Sequence, residues 1–212
     1  MEIPQIIFGV ALDTSSLTLV ETYASSRGLA VESHPSLDAF LRAWRTGGAG
    51  CIVLDLKTAG EDGLTALPQL QHYPVLLPVV LIAEHPTAPL AVRAMHQGAA
   101  WLFEKPLTRE SLEPVLDDVL QREQKDRQAR RLRETTLARI ATLTEGERDV
   151  LQRLMAGMAN KNIAADLQLG LRTVELRRAK ILKKLGARSL AEMVRLVVLA
   201  DPTYAYGEIS SS

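Results

Sequence analysis

The chain has 212 residues with 25 Lys+Arg, 25 Asp+Glu and one Cys, enough for one large domain or two small ones, each able to bury a core. Its formal charge of zero conceals two opposed halves: residues 1–120 hold 7 Lys+Arg against 14 Asp+Glu, a net of −7, and residues 121–212 hold 18 against 11, a net of +7. The longest apolar stretch, 75–82, is too short for the ~20 residues of a spanning helix, the first four residues lack the basic start of a secretory signal, and Cys51 alone makes neither a disulfide framework nor a zinc cluster.

These bounds predict a cytoplasmic, two-domain chain with no membrane segment and no cofactor. A basic half suggests a polyanionic partner, with nucleic acid the first candidate and a membrane surface the rival. Up to about residue 120, short apolar runs alternate with amphipathic stretches. The pattern predicts strands at 6–12, 29–33, 51–56, 79–83 and 101–103, the central ones apolar enough to be buried on both faces. Between them it predicts helices at 15–27, 37–45, 63–70, 89–97 and 111–122. Pro89 sits where a helix start tolerates a missing N–H, and Gly98 where a helix end wants a left-handed residue. This is (βα)5, an α/β doubly wound parallel sheet of the flavodoxin-like kind, which binds ligands at the carboxyl ends of its strands. Asp13, Asp55, Ala83 and Lys105 all fall there.

A strand closing on Asp55 and a Lys105-Pro106 pair after a later strand resemble the receiver domain of two-component response regulators. Ser36-Leu37-Asp38-Ala39-Phe40-Leu41 is similar to the Ser-x-x-x-Phe-Leu segment of the FixJ-like group. The resemblance implies a phosphoacceptor at Asp55, a phosphate-holding Lys105 and an acidic pair carrying Mg²⁺ after the first strand. It also implies a hydroxyl after strand four and an aromatic three residues before the lysine. This chain has Ala11-Leu12, Ala83 and Leu102 at those places. Asp13 stands one position late, and strand alternation would turn it away from a metal needing oxygens at ~2.0–2.1 Å. Asp55 with Asp13 and Lys105 is therefore expected to be the remnant of a switch, with Asp55–Lys105 a plain ion pair and a cognate histidine kinase left open. Glu61 and Asp62 are expected in an exposed acidic loop ahead of Gly63, and the four histidines, 34, 72, 85 and 96, have no ligand spacing. By resemblance, a homodimer would use the fourth and fifth helices and strands, including Arg93, Glu110 and Asp117.

The domain plan is a receiver-like domain at 1–122, a helical linker at 123–142, a DNA-binding domain at 143–200 and a loose tail at 201–212. The linker is rich in charge and in helix formers, and no heptad persists for three turns, so a solvated helix is expected rather than a coiled coil. Beyond it, Thr144 followed by Glu147 is a capping-box pattern that predicts a helix start. Further helices are expected at 160–167 and 172–185 with a tight turn between them, the layout that puts the second in a DNA major groove.

The run Leu-Thr-x-x-Glu-Arg-x-Val-Leu, then Gly-x-x-Asn-Lys-x-Ile-Ala-x-x-Leu, Arg-Thr-Val-Glu-x-x-Arg and Lys-Lys-Leu-Gly, resembles the LuxR-type (GerE) helix-turn-helix over about residues 140–200. The resemblance implies phosphate contacts near Lys161 and Asn162. It also implies double-stranded DNA read by Arg172, Thr173, Glu175, Arg177, Arg178, Lys180 and Lys183, with Val174, Ile181 and Leu185 facing inward. Gly170 replaces the usual Ser cap, and Arg177 replaces the common His with a guanidinium suited to a phosphate or a guanine edge. Gly170 and Arg177 leave open the alternative of an interaction module that sequesters a partner and has lost specific DNA binding; an enzyme is not expected, since no nucleophile-base pair or phosphate-cradling loop is present.

Overall fold

The computed structural model describes residues 3–45, 47–56, 65–73 and 75–206. The chain divides into two compact units, Met1–Arg127 and Gln128–Ser212. In the first, β1 (Ile6–Val10), β2 (Ala30–His34), β3 (Gly50–Asp55), β4 (Val79–Ala83) and β5 (Ala99–Glu104) form one parallel sheet in the order β2-β1-β3-β4-β5. This is the flavodoxin-like order that the alternating pattern predicts. β3 and β4 are buried along their whole length, which is why they read as continuous apolar runs rather than alternating ones. Their residues divide between two cores: Ile52, Leu54 and Leu81 serve one face, and Val53, Val80 and Ile82 the other.

Five helices connect or follow these strands: α1 (Thr14–Arg27), α2 (Leu37–Ala43), α3 (Ala66–His72), α4 (Ala88–His96) and α5 (Arg109–Ala141). α1, α2 and α4 start on side-chain caps from Asp13, Ser36 and Thr87, each accepting a backbone N–H of the first turn. The loop acids Glu61 and Asp62, and Gly63 at the expected start of the third helix, lie outside the described residues.

Two elements depart from expectation. β1 stops at Val10 because Ala11 takes a left-handed conformation (φ 56°), while its N–H donates to His34 O at 2.9 Å. α5 does not end near residue 122 but continues to Ala141, and its charged residues are not merely solvated. Within the first unit, buried Glu123 accepts from Gln5 Nε2 at 2.9 Å and lies 3.1 Å from Arg127, which donates to Ile3 O. Within the second, Arg133 Nε donates to Ala200 O at 2.9 Å and Arg139 Nη1 to Leu185 O at 2.8 Å. A polar helix with few apolar anchors is thus held by its long cationic side chains.

The second unit adds α6 (Glu145–Met155), α7 (Asn160–Asp166), α8 (Leu171–Leu185) and α9 (Leu190–Ala200) around Val150, Leu151, Ile163, Val174, Ile181, Leu185, Met193 and Val197. The capping box forms as expected: Glu147 N–H donates to Thr144 Oγ1 at 3.3 Å and Thr144 N–H to Glu147 Oε2 at 2.9 Å. Instead of a loose tail, Pro202–Tyr206 make a 3-10 turn whose Tyr204 packs against this core; residues 207–212 lie outside the described ones. No helix among the described residues is long and apolar enough to cross a membrane.

Candidate functional site

In the first unit the carboxyl ends of β1, β3 and β5 bring Asp13, Asp55 and Lys105 together. Lys105 Nζ donates to Asp55 Oδ2 at 2.5 Å and to Asp13 Oδ2 at 2.5 Å. Asp55 is almost fully enclosed, with 3% of its side chain exposed, whereas Asp13 is 42% exposed. Asp13 also caps α1, accepting from Ser16 N–H at 2.7 Å and Ser15 Oγ at 2.8 Å. The lysine hydrogen bond and the Ser16 N–H together hold its carboxyl well below the usual range. Burial pulls Lys105 down, but its bonds to the two carboxylates outweigh that, and its ammonium is stabilised overall.

Asp13, expected in the site remnant with Lys105, meets it there. The left-handed Ala11 ends the strand before alternation can turn the Asp13 side chain away. The ion pair between Asp55 and Lys105 is present as expected, with Asp13 as its third member.

The residues do not fit the Mg²⁺ that the resemblance implies. Ala11 is buried and Leu12 packs into the apolar core, so neither offers an oxygen side chain. Among the described residues no three His, Cys, Asp or Glu converge, and a lysine ammonium lies against both carboxylates that do meet. The other switch positions are also apolar. Ala83 is buried, Leu102 packs on the core face that holds Leu81, and Trp101 lies half-exposed beside Phe103. Asp117 accepts from Tyr23 Oη at 2.8 Å and from Arg27 Nη2 at 2.9 Å, joining α5 to α1. Arg93 and Glu110 are exposed.

In the second unit the basic residues separate into two sets. Lys161 and Asn162 on α7, and Arg172, Thr173, Glu175, Lys180 and Lys183 on α8, are exposed. Arg177 and Arg178 are half-buried instead of outward-facing: Arg177 Nη1 donates to Gly146 O at 3.1 Å, and Arg178 Nη1 to Asn160 Oδ1 at 3.3 Å. The cause is helical spacing, since both lie three or four residues from the buried Val174 or Ile181 and so flank the core stripe. Lys184, which the sequence did not single out, donates to buried Glu147 at 2.6 Å and to Thr142 O at 3.0 Å. Those bonds, with the Thr144 N–H, keep the Glu147 carboxyl ionised below its usual range. An i, i+3 capping pattern names Glu147 but carries no signal for a partner 37 residues away.

Comparison with known proteins agrees with both units. Residues 12–117 match the response regulator receiver domain, and residues 141–197 match the bacterial regulatory proteins of the luxR family. The transcriptional regulatory protein FixJ of Azorhizobium caulinodans is 40% identical over 82% of this chain and 83% of its own length. Among solved structures, the response regulator StyR superposes with a TM-score of 0.79 at 34% identity, covering 92% of this chain and 98% of StyR. Full-length FixJ from B. japonicum gives 0.55 at 30% identity, covering 94% and 98%. The likeness to these relatives runs along most of the chain, through both units. The chain belongs to the FixJ/NarL-type response regulators, transcriptional regulators that join a receiver domain to a LuxR-type DNA-binding domain.

Proposed function

We propose that this regulator binds double-stranded DNA as a homodimer with α8 in the major groove, and that its receiver domain works without phosphoryl transfer to Asp55. Lys161, Arg172, Lys180 and Lys183 supply the phosphate contacts with Asn162, and Arg172, Thr173 and Glu175 the base edges near the start of α8. These side chains are exposed and have no hydrogen-bond or ion-pair partner among the described residues. A DNA phosphate or base edge therefore meets them without first displacing a protein contact.

The observation that carries the second part is the Lys105 ammonium joined to Asp13 and Asp55, beside Ala11 and Leu12 where the resemblance implies metal-holding acids. Phosphoryl transfer develops charge on oxygens that a cation must neutralise. Among the described residues the cation at Asp55 is Lys105, and it is already paired twice. Incubation with acetyl phosphate and Mg²⁺ followed by intact-mass measurement tests this. The expected result is no stable gain of a phosphoryl group; a gain that disappears in Asp55→Ala would restore conventional control by a histidine kinase. The size of the unphosphorylated protein in solution tests the homodimer.

A further inference from the structure

We infer that Arg177 is a positioning residue that locks the recognition helix α8 onto the first turn of α6, and that Gly146 is glycine in order to receive it. This rests on the DNA-binding reading above and reassigns one residue within it. Arg177 Nη1 donates to Gly146 O at 3.1 Å. A Cβ added at Gly146 would lie 2.6 Å from Nη1, 2.7 Å from Cζ and 2.9 Å from Nη2, closer than such atoms approach. The guanidinium thus occupies the space that any other residue's side chain would need.

Helix electrostatics point the same way. A cation at a helix N-terminus opposes the positive end of the macrodipole, so an arginine is not drawn there by the helix itself. The first turn of α6 carries Glu145 and Glu147, which offset that repulsion, and the bond goes to a carbonyl rather than to an N–H. Lys184, seven residues on along the same side of α8, binds Glu147 at 2.6 Å. Two cations two turns apart therefore hold α8 against the start of α6, one by a backbone carbonyl and one by a buried carboxylate. The guanidinium belongs to the contact between two helices, and its effect on DNA passes through the orientation of Arg172, Glu175 and Lys180.

The test pairs DNA titrations with calorimetry of the full-length protein. Duplexes selected by the wild-type chain from a random pool, and an unselected duplex of equal length, serve as probes. Arg177→Ala is expected to weaken both by about tenfold, the scale of one charge-assisted hydrogen bond, without changing base preference or salt slope. Lys180→Ala, a proposed phosphate contact, should instead reduce the slope by about 0.9.

In the wild-type background Gly146→Ala expels the guanidinium and offsets the gain that alanine brings to a helix. In the Arg177→Ala background the same change raises the melting temperature by a few degrees. Relaxed preference at one base pair, or a lower salt slope in Arg177→Ala, would make Arg177 a DNA contact and overturn the inference. So would an unchanged affinity, or an equal effect of Gly146→Ala in both backgrounds. If the wild type bound no duplex and Lys180→Ala changed nothing, the DNA-binding reading itself would fall, while the two-background thermal comparison would still report on the contact.

Discussion

Both units use lysines and arginines as internal fasteners, but they place them against different groups. In the receiver unit one ammonium sits between two carboxylates, and the cluster joins the ends of three strands. In the DNA-binding unit cations reach mostly for carbonyls: Arg133 and Arg139 take Ala200 O and Leu185 O, at or next to the ends of α9 and α8. Arg148 Nη2 likewise takes Ala141 O at 3.1 Å. The last turn of a helix has orphan carbonyls and a negative dipole end, so it accepts a cation without needing an acid. The +7 of the basic half therefore overstates the charge available to a polyanion. In the acidic half Lys105 is likewise held, by Asp13 and Asp55.

The most severe way to break this comparison is Lys105→Met, which takes the ammonium from both enclosed Asp55 and Asp13. The receiver unit should lose about 3 kcal/mol, the scale for removing one member of a buried ion pair, measured by denaturant unfolding. Adding Asp55→Asn should recover most of the loss. If Lys105→Met alone were neutral, the cluster would not be a fastener.

Next in size is Glu147→Ala, which removes both the reciprocal cap of α6 and the partner of Lys184. A loss of about 2 kcal/mol in the DNA-binding unit is expected. The same pair predicts an acid dependence. Because the folded-state pKa of Glu147 is lowered, its contribution is complete above the ordinary glutamate value of ~4.3 and disappears as pH falls through the lower folded value. Glu147→Gln should flatten that part of the stability curve.

A smaller effect sharpens the line between fastened and free cations. Lys183→Ala should lower DNA affinity at low salt and reduce the salt slope by about 0.9, with little change in stability. Lys184→Ala should lower stability and leave the salt slope unchanged. The smallest expected change is Gly170→Ser. α8 begins at Gly170 without a side-chain cap, and an added Cβ would meet only Thr173 Oγ1, at 3.8 Å. A serine there should stabilise the helix by a few tenths of a kcal/mol, readable as a slight rise in melting temperature.

Much of this fold was legible in the chain. Short apolar runs and period-3.6 patterns placed five strands and their helices because burial in a sheet or on a helix face acts on residues close in sequence. The capping box at Thr144 and Glu147 was readable for the same reason, its two members being three residues apart. The departures share another cause. Ala11 has no composition signal for φ 56°; the conformation comes from how β1 meets the turn into α1, and it lets Asp13 reach Lys105. The bond from Arg177 to Gly146 O was not legible, because helix spacing names a face but not the partner opposite it, here 31 residues away.

What the sequence by itself determined was the element order, the two-domain charge division and the residues that carry the family resemblance. All follow from local periodicity and short motifs. Only the tertiary structure decided which charges are occupied. Whether a lysine or arginine is held depends on a carbonyl or carboxylate brought within about 3 Å by packing, a contact between residues distant in the chain. Asp13 joined Asp55 at Lys105, and Arg177 turned to Gly146 O, for that one physical reason.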